Sequence, residues 1–331
     1  MSEKVLEIQG LSVSFPGLIR TVQAVRGVDL VVPKGQLLGL VGESGCGKSI
    51  TAMACLGLVP SPGHVTGSVR IGGYEVIGRS EADLAKVRGA GAAMIFQNPL
   101  KALNPFFTVG RQMADAVARH RRLNRKRSRR ILAESLRSVG LPDPEFALDK
   151  YPHQLSGGQI QRVMIALALA CEPKLLIADE PTTALDVTVQ AQIIRLLREL
   201  AEVQGLTILF ITHDLGVVAS VCDRVAVMYA GEIVEAGPVE TVFRAPGHPY
   251  TEKLMATVPV LGRGKAALQF IPGQVPDLTM LPAGCAFHER CEKATELCRK
   301  ATPVFRPLGP SHQVACHFAD DERIVTEGSQ R

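Results

Sequence analysis

Three short stretches of the chain are apolar almost without a break: "QLLGLV" (Gln36 to Val41), "KLLIAD" (Lys174 to Asp179) and "TILFIT" (Thr207 to Thr212). Such runs lack the alternation of a strand with one wet face, so they predict strands covered on both faces of a sheet. Between the second and third, "TVQAQIIRLLRELAEVQG" places apolar residues at helical spacing and ends on a glycine stop. Buried strands alternating with helices predict a parallel α/β core. The runs "VLEIQGLSVSF", "AVRGVDLVVP" and "GSVRIGG" alternate instead and are bounded by Gly and Pro, which predicts antiparallel strands. From about Phe96 to Ala170 strand signals give way to Arg-rich helical segments punctuated by "LPDPEF" and "YPHQLSGGQ", a helical insert in the α/β core. After "HPYTEKLMATVPV" the chain passes through "LGRGKA" into a segment rich in Pro, Gly, His and Cys. The expected organisation is a large domain over residues 1–258, with the insert over about 98–170, and a small Cys-rich C-terminal domain over 259–331.

Composition adds little to this picture and removes some alternatives. With 331 residues, 46% hydrophobic and 21% charged, the chain reads as an ordinary globular protein. No run reaches the roughly 18 apolar residues of a membrane span, and "MSEKVLEIQG" has no signal-peptide pattern, so the expected location is cytoplasmic. The net charge of +5 is concentrated in "RHRRLNRKRSRR", Arg119 to Arg130. A solvated helix face is the preferred reading of that stretch over an anionic-lipid or nucleic-acid contact. No aromatic residues interleave with the charges to stack on bases, and no nucleic-acid partner is expected.

The chemistry begins at "GESGCGKS", which fits G-x-x-x-x-G-K-[ST] between a predicted buried strand and a predicted helix, "ITAMACLGL". Its glycines let successive N–H groups turn inward at the positive end of a helix, forming a nest for phosphates. Gly42, Glu43, Ser44, Gly45, Cys46, Gly47 and Ile50 supply this cradle; Lys48 is placed to reach the β- and γ-phosphates of a nucleotide, and the Ser49 hydroxyl to ligate Mg²⁺. "LLIADE" then places Asp179 at the end of a buried strand, where it holds Mg²⁺, and Glu180 next to it, suited to activate water.

"LSGGQIQR" (Leu155 to Arg162) resembles the signature motif of ATP-binding cassette (ABC) proteins, and the family's other motifs follow in order. The resemblance implies that Gln97 in "MIFQNP" senses Mg²⁺ and that Asp186 belongs to the loop "TALD". It makes His213 in "ITHD" the switch histidine at the γ-phosphate, and Phe15 the ring that stacks on adenine. Ser156, Gly157, Gly158 and Gln159 would then close on ATP held by a second cassette, because "SGG" opens a helix with exposed N–H groups. One chain offers one glycine loop and one signature, so the reading requires a dimer. "ADEPTTALDVTVQAQI", "HDLGVVASVCDRVAVMYAGEIVEAG", "APGHPYT" and a C-terminal "GC.FH.RC" pattern narrow the likeness to the D-type ATPases of the oligopeptide/dipeptide permease family. That family implies an F-type companion cassette in a heterodimer, two transmembrane permease subunits and an extracytoplasmic binding protein. It also implies a peripheral place on the cytoplasmic face of the membrane, with peptides as cargo, or nickel, glutathione or another small solute. "NPLKALNPFFTVGRQM" lies where the family receives its membrane subunits. A soluble ABC ATPase acting on ribosomes or DNA, and a non-hydrolysing regulatory cassette, fit less well: the chain has no second cassette and no long coiled coil, and Glu180 and His213 are intact.

Eight cysteines fall into two groups. Cys46, Cys55, Cys171 and Cys222 sit among apolar or glycine-rich neighbours and read as small buried hydrophobes. Cys285, Cys291, Cys298 and Cys316 have five, six and seventeen residues between neighbours. In a reducing compartment metal binding is the expected use, as Zn²⁺ or an iron–sulfur cluster. The spacing lacks a C-x₂-C knuckle and does not choose; His288 and His317 lie within reach as substitutes. The permease resemblance favours a [4Fe–4S] cluster.

Overall fold

The computed structural model of the chain describes residues 3–120, 125–183, 185–258 and 270–319. Its contacts divide the chain into two compact units, the first formed by Met1–Leu6, Val32–Gln36 and Arg70–Phe210, the second by Glu7–Val31, Leu37–Val69 and Ile211–Arg331.

In the first unit the strand Leu175–Asp179 lies between Thr207–Thr212 and Ala92–Ile95. Ala92–Ile95 runs parallel to it, in register from Ala92 opposite Leu175 to Ile95 opposite Ala178. All five residues of Leu175–Asp179 are buried. This is why the sequence shows an unbroken apolar run there. The stretch read as a helical insert contains the helices Val109–His120, Arg125–Ser138 and Gly157–Leu169, with turns between them. Ser156 starts the last of these with a capping box, its hydroxyl accepting from the Gln159 N–H while the Gln159 side-chain Oε1 accepts from the Ser156 N–H. Part of the basic stretch lies outside the described residues. Of the rest, Arg129 and Arg130 are exposed and pair with Asp149 and Glu134, as a solvated helix face requires.

In the second unit Leu37–Val41 and Arg224–Tyr229 are parallel neighbours. Glu232–Pro238 follows antiparallel to Arg224–Tyr229, then His312–Val314, then Arg306–Gly309. The strands Thr21–Pro33, Lys4–Pro16 and His64–Ile71 lie side by side in a separate sheet, in that order. The last two strands of the first sheet come from the Cys-rich tail, which the sequence suggested is a small C-terminal domain. The segment proposed as its boundary, near Pro259, lies outside the described residues. The tail also joins the unit's core: Phe287 is 1% exposed and packs on Tyr229 and Tyr250, with ring centroids 5.2 and 5.3 Å away. Beneath these strands sits a fully buried carboxylate, Glu235. It accepts from the Gly247 and His248 N–H groups at 2.6 and 3.0 Å and pairs with His312 Nε2 at 2.8 Å. Among the described residues no helix is long and apolar enough to cross a membrane.

Candidate active site

The glycine loop belongs to the second unit. It leaves the buried strand Leu37–Val41 and ends at the helix Lys48–Cys55. Two of its glycines are dictated by space. Gly47 has φ 110°, and a Cβ there would lie 2.4 Å from the Ala24 carbonyl oxygen; at Gly42 a Cβ would lie 2.1 Å from that of Met228. The Gly231 N–H donates to the Cys46 carbonyl at 3.0 Å, tying the loop to the neighbouring hairpin. Cys46 is buried, and burial pushes its thiol above the usual range. Lys48, only 5% exposed, donates to the Gly42 and Glu43 carbonyls at 2.8 and 2.9 Å, so the loop holds its cation at its own centre. Ser44 and Gly45 are exposed at the tip, and Ser49 and Ile50 are half-buried where the helix begins.

Glu43 is gripped by residues that sequence reading missed. Its N–H donates to the Tyr250 hydroxyl at 2.9 Å, and its carboxylate receives both terminal nitrogens of Arg290, at 2.7 and 2.9 Å. Phe15 is half-buried, and a Cβ on Gly63 would come 2.7 Å from its ring. His213 is exposed just after the strand Thr207–Thr212, and the next residue, Asp214, caps the helix Leu215–Val221.

The acidic residues belong to the first unit. Asp179 is 3% exposed at the end of its strand. Glu180, with φ 46°, occupies the left-handed region that a non-glycine residue adopts only under local constraint. The constraint is visible: the Gln97 amide and the Thr183 hydroxyl both donate to Glu180 Oε2, at 2.9 and 2.8 Å. Gln97, expected beside Mg²⁺, is here a donor to the carboxylate, and Thr183 is a positioning partner read from sequence only as part of "TALD". Ala184 of that loop lies outside the described residues. Asp186 caps the helix Val187–Gln204 through the Val189 N–H at 2.9 Å. In the signature, Gly157 is exposed, whereas Gly158 is fixed by packing, since a Cβ would lie 2.8 Å from Val189. The side chains of Ser156 and Gln159 are used in the capping box. Gln161, in the helix that the signature opens, is 1% exposed and, among the described residues, its amide nitrogen has no hydrogen-bond partner.

The four tail cysteines converge, with Cys285, Cys291, Cys298 and Cys316 lining one cavity together with His248, His288 and His317. All are free thiols. Burial pushes Cys285 up to about 11 and raises Cys291 and Cys316 as well. His288 Nδ1 and His317 Nε2 each lie 2.9 Å from a backbone carbonyl, of Cys285 and Ala301. The donor set fits a thiophilic metal. Among the described residues, however, no three or more His, Cys, Asp or Glu side chains are gathered closely enough to hold an ion.

With this geometry in view, comparison with known proteins gives a consistent answer. Residues 25–183 match the ABC transporter family, and residues 234–298 match the oligopeptide/dipeptide transporter C-terminal region. Curated relatives include the "Probable peptide ABC transporter ATP-binding protein y4tR" of Sinorhizobium fredii, 49% identical over 95% of both chains. The dipeptide transport ATP-binding protein DppD of Bacillus subtilis is 46% identical over 99% of both. Among solved structures, the dimeric post-hydrolysis state of the ATP-binding cassette MJ0796 with ADP and Pi superposes with a TM-score of 0.63 at 27% identity. That match covers 71% of this chain and 98% of that one. The chain therefore belongs to the ABC transporter ATP-binding proteins, with their P-loop fold, and carries the C-terminal region of the oligopeptide/dipeptide transporters.

Proposed function

We propose that this ABC ATPase powers a membrane importer of di- and oligopeptides, as one of two cassettes beneath two transmembrane permease subunits. The observation that carries the reading is Glu180: a carboxylate at the end of a fully buried strand, fixed by Gln97 and Thr183, in a chain whose glycine loop cages Lys48. Peptide cargo is supported by the C-terminal region and by the relatives that carry it.

In this reading Lys48 and the loop amides hold the phosphates of ATP, with Phe15 against the adenine. Ser49, Gln97 and Asp179 would hold Mg²⁺, which would neutralise phosphate charge. Gln97 and Thr183 aim the Glu180 carboxylate, which takes a proton from the attacking water. His213 steadies the γ-phosphate, and the signature, Ser156 to Gln159 with Asp186 behind it, serves the nucleotide of an F-type companion. The exposed Phe106, 83% accessible and just past Gln97, belongs to the face that receives the permease subunits on the cytoplasmic side. A separate binding protein delivers the cargo. The tail cysteines, Cys285, Cys291, Cys298 and Cys316, would hold a metal, a [4Fe–4S] cluster in preference to zinc on the family resemblance; their convergence on one cavity supports a metal site.

The test is uptake of labelled dipeptide by proteoliposomes carrying the assembled transporter. ATP-dependent uptake lost in Glu180→Gln is expected. Uptake of nickel or glutathione instead would redirect the cargo, and an assembled complex that releases no phosphate from ATP would overturn the assignment.

A further inference from the structure

The glycine loop and the cysteine-rich tail meet at one side chain, Arg290, which lies immediately before Cys291. Its guanidinium is 4% exposed and spans Glu43 with both terminal nitrogens, the bidentate geometry that makes an arginine–carboxylate pair directional. The remaining donors are also used: Nε bonds the Pro272 carbonyl at 2.9 Å, Nη2 the Ile271 carbonyl at 3.3 Å and Nη1 the Tyr229 hydroxyl at 3.4 Å. The backbone is fastened too, since Lys253 donates to the Arg290 carbonyl at 3.2 Å. Burial works against the cation, and the Glu43 and Tyr229 hydrogen bonds outweigh it, so Arg290 stays charged.

Three independent groups thus converge on the residue that opens the phosphate loop. Arg290 takes its carboxylate, Tyr250 accepts its N–H, and Lys48 binds its carbonyl. Without Arg290 a partly buried carboxylate would stand unpaired beside the seat of a polyanion, where like charges repel and the dielectric is low. The loop would also lose its anchor on the tail.

We propose that Arg290 is a positioning residue of the nucleotide site: through Glu43 it neutralises and orients the glycine loop, so that the folded tail sets the affinity of the loop for ATP. The inference rests on the nucleotide reading given above. It assigns the tail a role in ATP binding in addition to holding any metal.

The experiment is binding of a fluorescent ATP analogue to the full chain, with thermal melting of each variant. Arg290→Met should weaken binding about tenfold, and Arg290→Lys, which keeps the charge and loses the fork, should recover part of it. Adding Glu43→Gln to Arg290→Met should bring no further loss, because the two act through one contact. Lys253→Met, which removes a backbone contact of Arg290 but leaves the guanidinium paired with Glu43, should bind within twofold of the parent. The inference is overturned if Arg290→Met binds ATP as the parent does, if the two losses add, or if Lys253→Met weakens binding as much as Arg290→Met. Should Arg290→Met fail to fold, Arg290→Lys, compared with and without Glu43→Gln, carries the same test. Lys48→Ala separates the two failures: if it too binds nucleotide normally, the nucleotide reading falls; if it alone loses binding, only the role of Arg290 does.

Discussion

Glu180 stands in a backbone conformation that its neighbours must enforce, with one carboxylate oxygen shared by Gln97 and Thr183. Replacing it by Gln keeps the shape and a polar partner for Thr183 but removes the base. Glu180→Gln should therefore bind ATP as the parent does while phosphate release by the assembled transporter falls by about 10²–10⁴, the usual contribution of a positioned general base. Equal loss of binding and turnover would place Glu180 in nucleotide binding instead. Gly47 is the opposite case, where space decides. Gly47→Ala must displace the Ala24 carbonyl and also strain a positive φ, so nucleotide binding should weaken at least about tenfold as the loop shifts. An alanine variant that binds normally would show the loop to be softer than its packing suggests. Both residues were legible in the sequence because the glycine loop and the acid pair are each contiguous, and each follows its own buried strand. Arg290 and Tyr250 were not, because they reach Glu43 across 247 and 207 positions. A lone arginine in "FHERC" carries no local signal of a distant carboxylate.

At the scale of elements, apolar pattern and structure agree wherever a strand is covered on both faces, as for Leu37–Val41, Leu175–Asp179 and Thr207–Thr212. They part where an element is short and borrows its stability. Arg306–Gly309 and His312–Val314 are four and three residues long; His312–Val314 adds to the edge that Glu232–Pro238 offers, and Arg306–Gly309, which holds Pro307, pairs with His312–Val314 in turn. Their fastening is polar and buried. Glu235 is wholly inside, and removing it leaves His312 and the Gly247 and His248 N–H groups without their acceptor. Loss of one partner from a buried charged network costs about 3–5 kcal/mol. Glu235→Ala should therefore lower the unfolding free energy by about that amount in urea titrations, and Glu235→Gln by less. A loss under ~1 kcal/mol would mean the tail strands are held by apolar packing alone.

For the whole molecule, the decisive question is whether the tail is an appendage or part of the machine. Composition suggested a small domain of its own, since Pro, Gly, His and Cys replace the apolar periodicity of the core. The structure favours the second. Phe287 fills the same aromatic cluster as Tyr229 and Tyr250, Cys298 closes the segment by accepting the Cys285 N–H at 2.8 Å, and Arg290 runs from there to the glycine loop. What the tail cysteines hold should then be felt at the ATP site. Protein purified without oxygen should contain iron and acid-labile sulfide near four each per chain, lost in Cys298→Ser. Zinc near one, with no sulfide, would make the site a structural zinc module, and neither metal would refute the cluster. Because buried thiols must lose protons to bind metal, loading should also release protons and weaken at low pH. Stripping the metal from the parent protein should lower its melting temperature and, through Arg290 and Glu43, weaken binding of the fluorescent ATP analogue. Arg290→Met, already uncoupled, should show the first effect and not the second. A stripped parent that melts early yet binds ATP at full strength would confine the tail to stability and cut the link between its cysteines and the nucleotide.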